Sequence, residues 1–259
     1  MLKIFLYTSM LFVSLTSFVN ATTVVFNTSQ GEIEVNLFDQ TTPKTVANFL
    51  QYIDESHYTN SVIHRVAPNF IVQGGGFAFT GDWPLTSLEP NPSVINEPVY
   101  SNVKGTIAMA KNATSINSAT NQWFFNLKDN SQNLDLQNGG FTVFGQVING
   151  MDIVEKIGQL DLCFKSSDGS GIPVVKDESQ TCDDLSAPGI ENIVVINQID
   201  ILDSSEVTDA DLSPVKNTLI IPEATPDHGG GSSGGSFAWL SLLTLLLLSI
   251  RKISLQKIQ

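Results

Sequence analysis

From Ile63 to Gly76 the chain reads Ile-His-Arg-Val-Ala-Pro-Asn-Phe-Ile-Val-Gln-Gly-Gly-Gly. Two short β-prone runs flank a Pro-Asn turn, and a glycine run then bends the chain away. A proline and three glycines rule out a helix here. Arg65 stands among apolar neighbours, an aromatic (Phe70) follows, and then an amide (Gln73). Packing alone has no use for that order. A shallow apolar pocket with a few donors at its rim, made for a small ligand or a peptide, does.

Similar runs recur along the chain. Thr22 to Asn27 and Glu32 to Phe38 alternate and are rich in β-branched residues, and Thr28-Ser29-Gln30-Gly31 between them makes a hairpin. Thr41-Thr42-Pro43 places a hydroxyl cap before a proline at the first helical position. Val46, Phe49, Leu50 and Ile53 then recur at helical spacing, which predicts a helix to about Ser56. Val62 to Val66 and Phe70 to Gln73 read as strands, and Phe77 to Tyr100, with four prolines, as a surface loop. Gly105 to Ala110, Gln122 to Leu127, Phe141 to Val147 and Ile193 to Leu202 are further strands, and Met151 to Ile157 a short helix. About eight short strands and two helices spread over residues 22–202 predict one mainly β domain, a closed barrel.

The ends differ from this middle. In residues 1–21, Lys3 precedes a largely apolar run and Val19-Asn20-Ala21 offers a cleavage site, so the segment reads as a secretory signal peptide. Residues 203–236 are acidic, proline-bearing and glycine-rich, hence a linker. Residues 237–252 form an apolar run ending in Arg251 and Lys252, short of the roughly 20 residues that span a bilayer. The basic end places the C-terminus in the cytoplasm and the domain outside the inner membrane. Four of the 13 basic residues and none of the 26 acidic ones lie in residues 1–21 and 237–259, so residues 22–236 carry nine against 26, a net charge of −17. That surface repels phosphate backbones and excludes nucleic acid as a partner.

Cys163 and Cys182 are the only cysteines, set in a Gly/Ser/Asp-rich stretch. In an oxidising compartment such a pair is more often a disulfide than a metal or catalytic site, and with no His or Cys cluster beside it no metal is expected.

The order Ile63-His64-Arg65-Val66, then Phe70-Ile71-Val72-Gln73-Gly74-Gly75, resembles the signature segment of the cyclophilins, the peptidyl-prolyl isomerases. The resemblance covers roughly Thr22 to Leu202, with 160–191 as a longer insertion. It implies a closed eight-stranded antiparallel barrel capped by two α-helices, and a reaction on proline-containing polypeptides that needs no cofactor. Arg65 matches the family's catalytic arginine. Phe70, Ile71, Phe124, Leu134 and Phe141 match its proline pocket. Gln73, Gln122 and the backbone at Ala110, Lys111 and Asn112 match the groups that hold the residue before proline.

Three positions depart from the family. Ile71 replaces a methionine and Phe141 a histidine, both keeping an apolar wall. Asn133 replaces the aromatic before the pocket leucine, which weakens the expectation of cyclosporin binding. His64 is given no proton-transfer role, because bond rotation needs none. Gly74 to Gly76 lack the Lys-Ser/Thr and the helix of a phosphate loop. The sequons at Asn27 and Asn112 and the scattered tail aspartates are given no role.

The glycine run 229–236, the apolar run and the basic end together resemble a GlyGly-CTERM sorting signal. That implies cleavage near the glycines by a rhomboid-family protease and delivery to the cell surface. A permanent membrane anchor is the alternative. The resulting expectation is a monomeric, exported prolyl isomerase that assists the folding of exported proteins. A cyclophilin-fold peptide-binding or chaperone module with secondary catalysis is the alternative from another class.

Overall fold

The computed structural model describes residues 22–203 and 212–220. The expected signal peptide, the apolar run and the glycine run fall outside them. In chain order the strands and helices are β1 (Thr23–Thr28), β2 (Gly31–Leu37), α1 (Pro43–Asp54), β3 (Ser61–Val62), β4 (Arg65–Ala67), β5 (Ile71–Gly74), β6 (Phe77–Ala78) and β7 (Thr86–Ser87). They continue with β8 (Thr106–Met109), β9 (Trp123–Asn126), α2 (Ser131–Leu134), β10 (Val143–Asn149), α3 (Met151–Gly158), β11 (Asp161–Cys163), β12 (Ile172–Val174) and β13 (Val195–Asp203). Seven of the eight expected strands and both expected helices are present, and the eighth, Val62 to Val66, is split in two. The one-turn α2 and the two-residue β6 and β7, inside the stretch read as loop, had no signal in the sequence pattern.

The strands make one curled antiparallel sheet in the order β4-β5-β9-β8-β10-β2-β1-β13-β3-β6-β7, plus a separate β11-β12 hairpin. This is a mainly β fold with few helices. It has eleven strands in a row where a closed ring of eight was expected. The difference arises at Ile63 and His64, which interrupt the run 61–67: β3 pairs with β13 and β6, whereas β4 pairs with β5. Ile63 N–H donates to Val194 O at 3.0 Å, and Val66 bridges Gly171, so the interrupted run still contacts both sides.

One face of the sheet carries the main core. Phe26, Phe49, Tyr52, Tyr58, Trp123, Phe125 and Phe144 are fully buried there and pack edge-on or tilted. Side chains alternate along a strand, so the residues between these point the other way. Ile71, Ala108, Phe124 and Val143 join Phe38 and Leu134 in a second apolar cluster on the opposite face. A sheet buried on both faces explains why Gln122 to Leu127 shows no hydrophobic alternation.

Two features differ from what the sequence predicts. The Thr42 hydroxyl donates back to Phe38 O and does not cap α1. The Glu97 carboxylate caps it instead, accepting from the Thr45 amide at 2.9 Å, the Thr45 hydroxyl at 2.8 Å and the Lys44 amide at 3.3 Å. Within the stretch read as linker, residues 212–220 lie against the domain. Ser101 N–H donates to Val215 O at 2.8 Å, Asn217 N–H to Val99 O at 2.9 Å, and Asn217 Nδ2 to Asp135 O at 3.1 Å. Leu212 packs on the second apolar cluster.

Candidate active site

Register across four strand pairs builds the site. Arg65 lies opposite Gln73, Gln73 opposite Phe124, Phe124 opposite Ala108 and Ala108 opposite Val143. Residues opposite one another share a face, so this row carries a cation, an amide, an aromatic and two small apolar groups across the sheet on the face away from the main core. Ile71, two residues from Gln73, falls on the same face.

Phe70, Ile71, Phe124, Leu134 and Phe141 wall a cavity of about 250 Å³ there, with Arg65 and Gln73 on its rim. Phe124 and Phe141 meet edge to face at 5.8 Å. All five apolar residues expected at a proline pocket therefore come together, and Ala110 and Lys111 also line it. Asn133 and Gln137 contribute polar edges. Gln137 was not anticipated, because it lies in a 3₁₀ turn with no sequence signal of its own. Asn112 and Gln122 line an adjoining, more polar cavity that shares Gln73, Ala110 and Lys111 with the first.

Arg65 is fixed from three sides. Its Nε donates to Ser170 Oγ at 3.0 Å, one terminal nitrogen to Gln73 Oε1 at 3.2 Å, and the other to Asp168 Oδ2 at 3.0 Å. Gln73 Nε2 in turn donates to Gln122 Oε1 at 2.9 Å. A guanidinium has five N–H groups, so two stay free for a ligand. Asp168 and Ser170 come from the β11-β12 segment, which a Cys163–Cys182 disulfide ties down. The Ser170 hydroxyl and amide, and after them the Arg65 guanidinium, hold the Asp168 carboxyl down to about 2. Sequence reading missed this pair.

Glycines let the amide row close up. Gly75 has φ of 87°, and a Cβ there would lie 2.5 Å from Asn121 O. A Cβ on Gly76 would meet the Gln122 amide at 2.5 Å.

The expected backbone grip is partly engaged within the protein. Ala110 N–H donates to Gln122 O at 2.9 Å, and Asn112 N–H to Ser118 Oγ at 2.9 Å. The Lys111 ammonium donates to Asn138 O at 2.8 Å and Gly140 O at 2.6 Å, and lies 5.0 Å from the centre of the Phe141 ring. Burial pulls its pKa down to about 8. Burial likewise pushes His64 down to about 4, so the imidazole beside Arg65 is neutral at ordinary pH.

Comparison with known proteins agrees with this geometry. The family model described as cyclophilin type peptidyl-prolyl cis-trans isomerase/CLD matches residues 23–176. The chain is 40% identical over 146 residues to peptidyl-prolyl cis-trans isomerase A of Dickeya dadantii, covering 54% of this chain and 73% of that one. It is 41% identical over 138 residues to peptidyl-prolyl cis-trans isomerase B of Escherichia coli, covering 52% and 82%. Peptidyl-prolyl cis-trans isomerase cyp18 of Streptomyces antibioticus is 41% identical over 140 residues, covering 52% and 82%.

Proposed function

We propose that this chain, which belongs to the cyclophilin-type peptidyl-prolyl cis-trans isomerase family, catalyses rotation about X-Pro bonds with Arg65 as the catalytic donor. Its activity is peptidyl-prolyl isomerisation, in the service of protein folding. Amide resonance sets a barrier of about 18–20 kcal/mol to that rotation. As the bond twists, the prolyl nitrogen loses conjugation and gains a lone pair that accepts a hydrogen bond. A donor already held in place stabilises the twisted state more than either planar one. Arg65, fixed by Gln73, Asp168 and Ser170, is such a donor.

The row Arg65-Gln73-Phe124-Ala108-Val143 carries this reading, because it sets a fixed cation at the rim of a cavity sized for one small ring. Phe70, Ile71, Phe124, Leu134 and Phe141 take the prolyl ring. Gln73, Gln122 and the 110–112 backbone hold the residue before it, so that only the far side turns. A binding module would need the apolar cavity and no cation held in place. The test is isomerisation of a proline-containing peptide by wild type and Arg65→Ala. We expect Arg65→Ala to lose at least 100-fold in kcat/KM, in the range of one lost transition-state donor. Equal rates would sink the role of Arg65, and an inactive wild type the enzyme reading.

The finer architecture belongs to the same proposal: the curled sheet closes as a barrel through the run 61–67, capped by α1 and α3. So does location. A leader over 1–21 and an apolar run over 237–252 with a basic end together support export. The protein is then a monomer in the periplasm, held at the inner membrane or released to the cell surface after cleavage near the glycines. The bonded cysteine pair fits an oxidising compartment. Mass spectrometry of both terminal peptides from fractionated cells tests it.

A further inference from the structure

Arg65 borders a second cavity. A space of about 340 Å³ is walled by Phe77, Trp83, Leu85, Phe164 and Ile172 together with Arg65. The walls come from two segments far apart in the chain, the 77–88 loop and the disulfide-tied β11-β12 hairpin. They meet where Trp83 and Phe164 stack, ring centres 4.4 Å apart and planes tilted by 31°.

Phe164 is the telling residue. It has φ of 51°, a left-handed backbone that a bulky side chain rarely adopts. It follows the bonded Cys163 directly, and 40% of its surface stays exposed. Burial therefore does not explain why an unfavourable backbone holds an aromatic ring here. Stacked on Trp83 and half open to solvent, the ring presents an apolar surface beside the Arg65 guanidinium that a ligand would cover.

The proline pocket adjoins both other cavities, which share no wall with each other. The proline pocket shares Arg65 with this apolar space and shares Gln73, Ala110 and Lys111 with the polar space at its other end. A polypeptide with its proline in the middle pocket must cross both neighbours. Arg65 lines both cavities, and extended chain advances about 3.3–3.6 Å per residue, so the side chain two or three residues on from the proline comes within reach of the second one.

We propose that this cavity is a subsite for an aromatic or large aliphatic side chain of the substrate, two or three residues after the isomerised proline. It rests on the assignment of the middle pocket to proline and of the Gln73-Gln122 end to the residue before it. Its consequence is selection among proline sites: one followed by an apolar side chain at that distance is turned over faster than one followed by small or acidic residues.

The test is a peptide scan with the full chain. An alanine-flanked proline peptide carries Phe, or Glu, at each of three positions on either side of proline, and kcat/KM is read for each. We expect Phe at the second or third position after proline to raise kcat/KM about tenfold over Ala, Glu to lower it, and other positions to vary within about twofold. Trp83→Ala and Phe164→Ser, taken separately, should bring the Phe-to-Ala ratio to within about twofold, so misfolding of one leaves the other to decide. With 5-fluorotryptophan incorporated, the Trp83 resonance should move on addition of the Phe peptide and not of the alanine peptide. A flat scan from an enzyme that isomerises the alanine peptide overturns the subsite and leaves the isomerase reading standing. A preference that survives both substitutions overturns the assignment to this cavity. Failure to turn over any peptide overturns the isomerase reading and the subsite with it.

Discussion

Asp168 reaches the Arg65 guanidinium at 3.0 Å from 103 residues along the chain. The two side chains are 54% and 32% exposed, so water screens the pair and it adds little to stability. What it supplies is aim. With Ser170 and Gln73 it leaves the guanidinium one orientation.

Asp168→Asn should therefore act on turnover and hardly on stability. We expect kcat to fall about threefold to tenfold with KM within twofold, and the melting temperature to stay within about 2 °C. In an Arg65→Ala background the same substitution should have no further effect on kcat, because the group it positions is gone. A drop of equal size in both backgrounds would remove Asp168 from the site.

Cys163 and Cys182, 19 residues apart, carry that aim back to the covalent structure. A loop of this size contributes about 3 kcal/mol by restricting the unfolded chain. The Cys163→Ser/Cys182→Ser protein should lose roughly 2–4 kcal/mol in urea unfolding, and its kcat should fall toward that of Asp168→Asn as Asp168 and Ser170 loosen. Intact mass after alkylation without reductant should show no free thiol in the wild type. Turnover unchanged by reduction would separate the hairpin from catalysis.

The His64 imidazole gives acid sensitivity a defined window. Burial lowers its pKa from the ordinary 6.5 to about 4, so the unfolded chain binds a proton between those values and the folded one does not. Stability must then be independent of His64 above about pH 6.5, fall as pH drops toward 4, and level off below. The loss is about 3 kcal/mol. Burial also lowers His57, which adds in the same direction. The depressed carboxylates titrate lower and leave the upper part of the window to the histidines. Urea midpoints at pH 7, 6, 5 and 4 should show the slope, and His64→Gln should remove most of it. The same slope in wild type and His64→Gln would refute the assignment.

Local pattern revealed the strands, α1 and α3, because period and punctuation are written in neighbouring residues. It also revealed Arg65, Phe70 and Gln73 as an odd set for packing, and the likeness of that set to one family supplied the remaining pocket residues. What it could not supply is pairing over distance. Nothing near Thr45 says that Glu97 caps α1, and nothing near Arg65 points to Ser170. The row from Arg65 to Val143 exists only once four strands are in register. Thr42 shows the converse, a sound local signal diverted because its hydroxyl finds Phe38 O first.

The stretch after Asp203 shows where composition misleads. Acid, proline and glycine content argued for a free tether, yet Val215, Lys216 and Asn217 hydrogen-bond to Val99, Ser101 and Asp135, and Leu212 covers part of the apolar cluster behind the proline pocket. The four bonds and the apolar contacts work against the entropy of ordering the segment, so the net gain is small. We expect a chain ending at Asp203 to be about 1–2 kcal/mol less stable than one ending at Ile220, a difference of about 3–6 °C in melting temperature for a domain of this size. Asn217→Ala in the longer chain should reproduce a part of it. The Asp135 backbone carbonyl that Asn217 contacts follows Leu134, a pocket wall, so the shorter chain should also show a higher KM for proline peptides. Equal melting temperatures and equal KM for the two chains would return 212–220 to the role of linker.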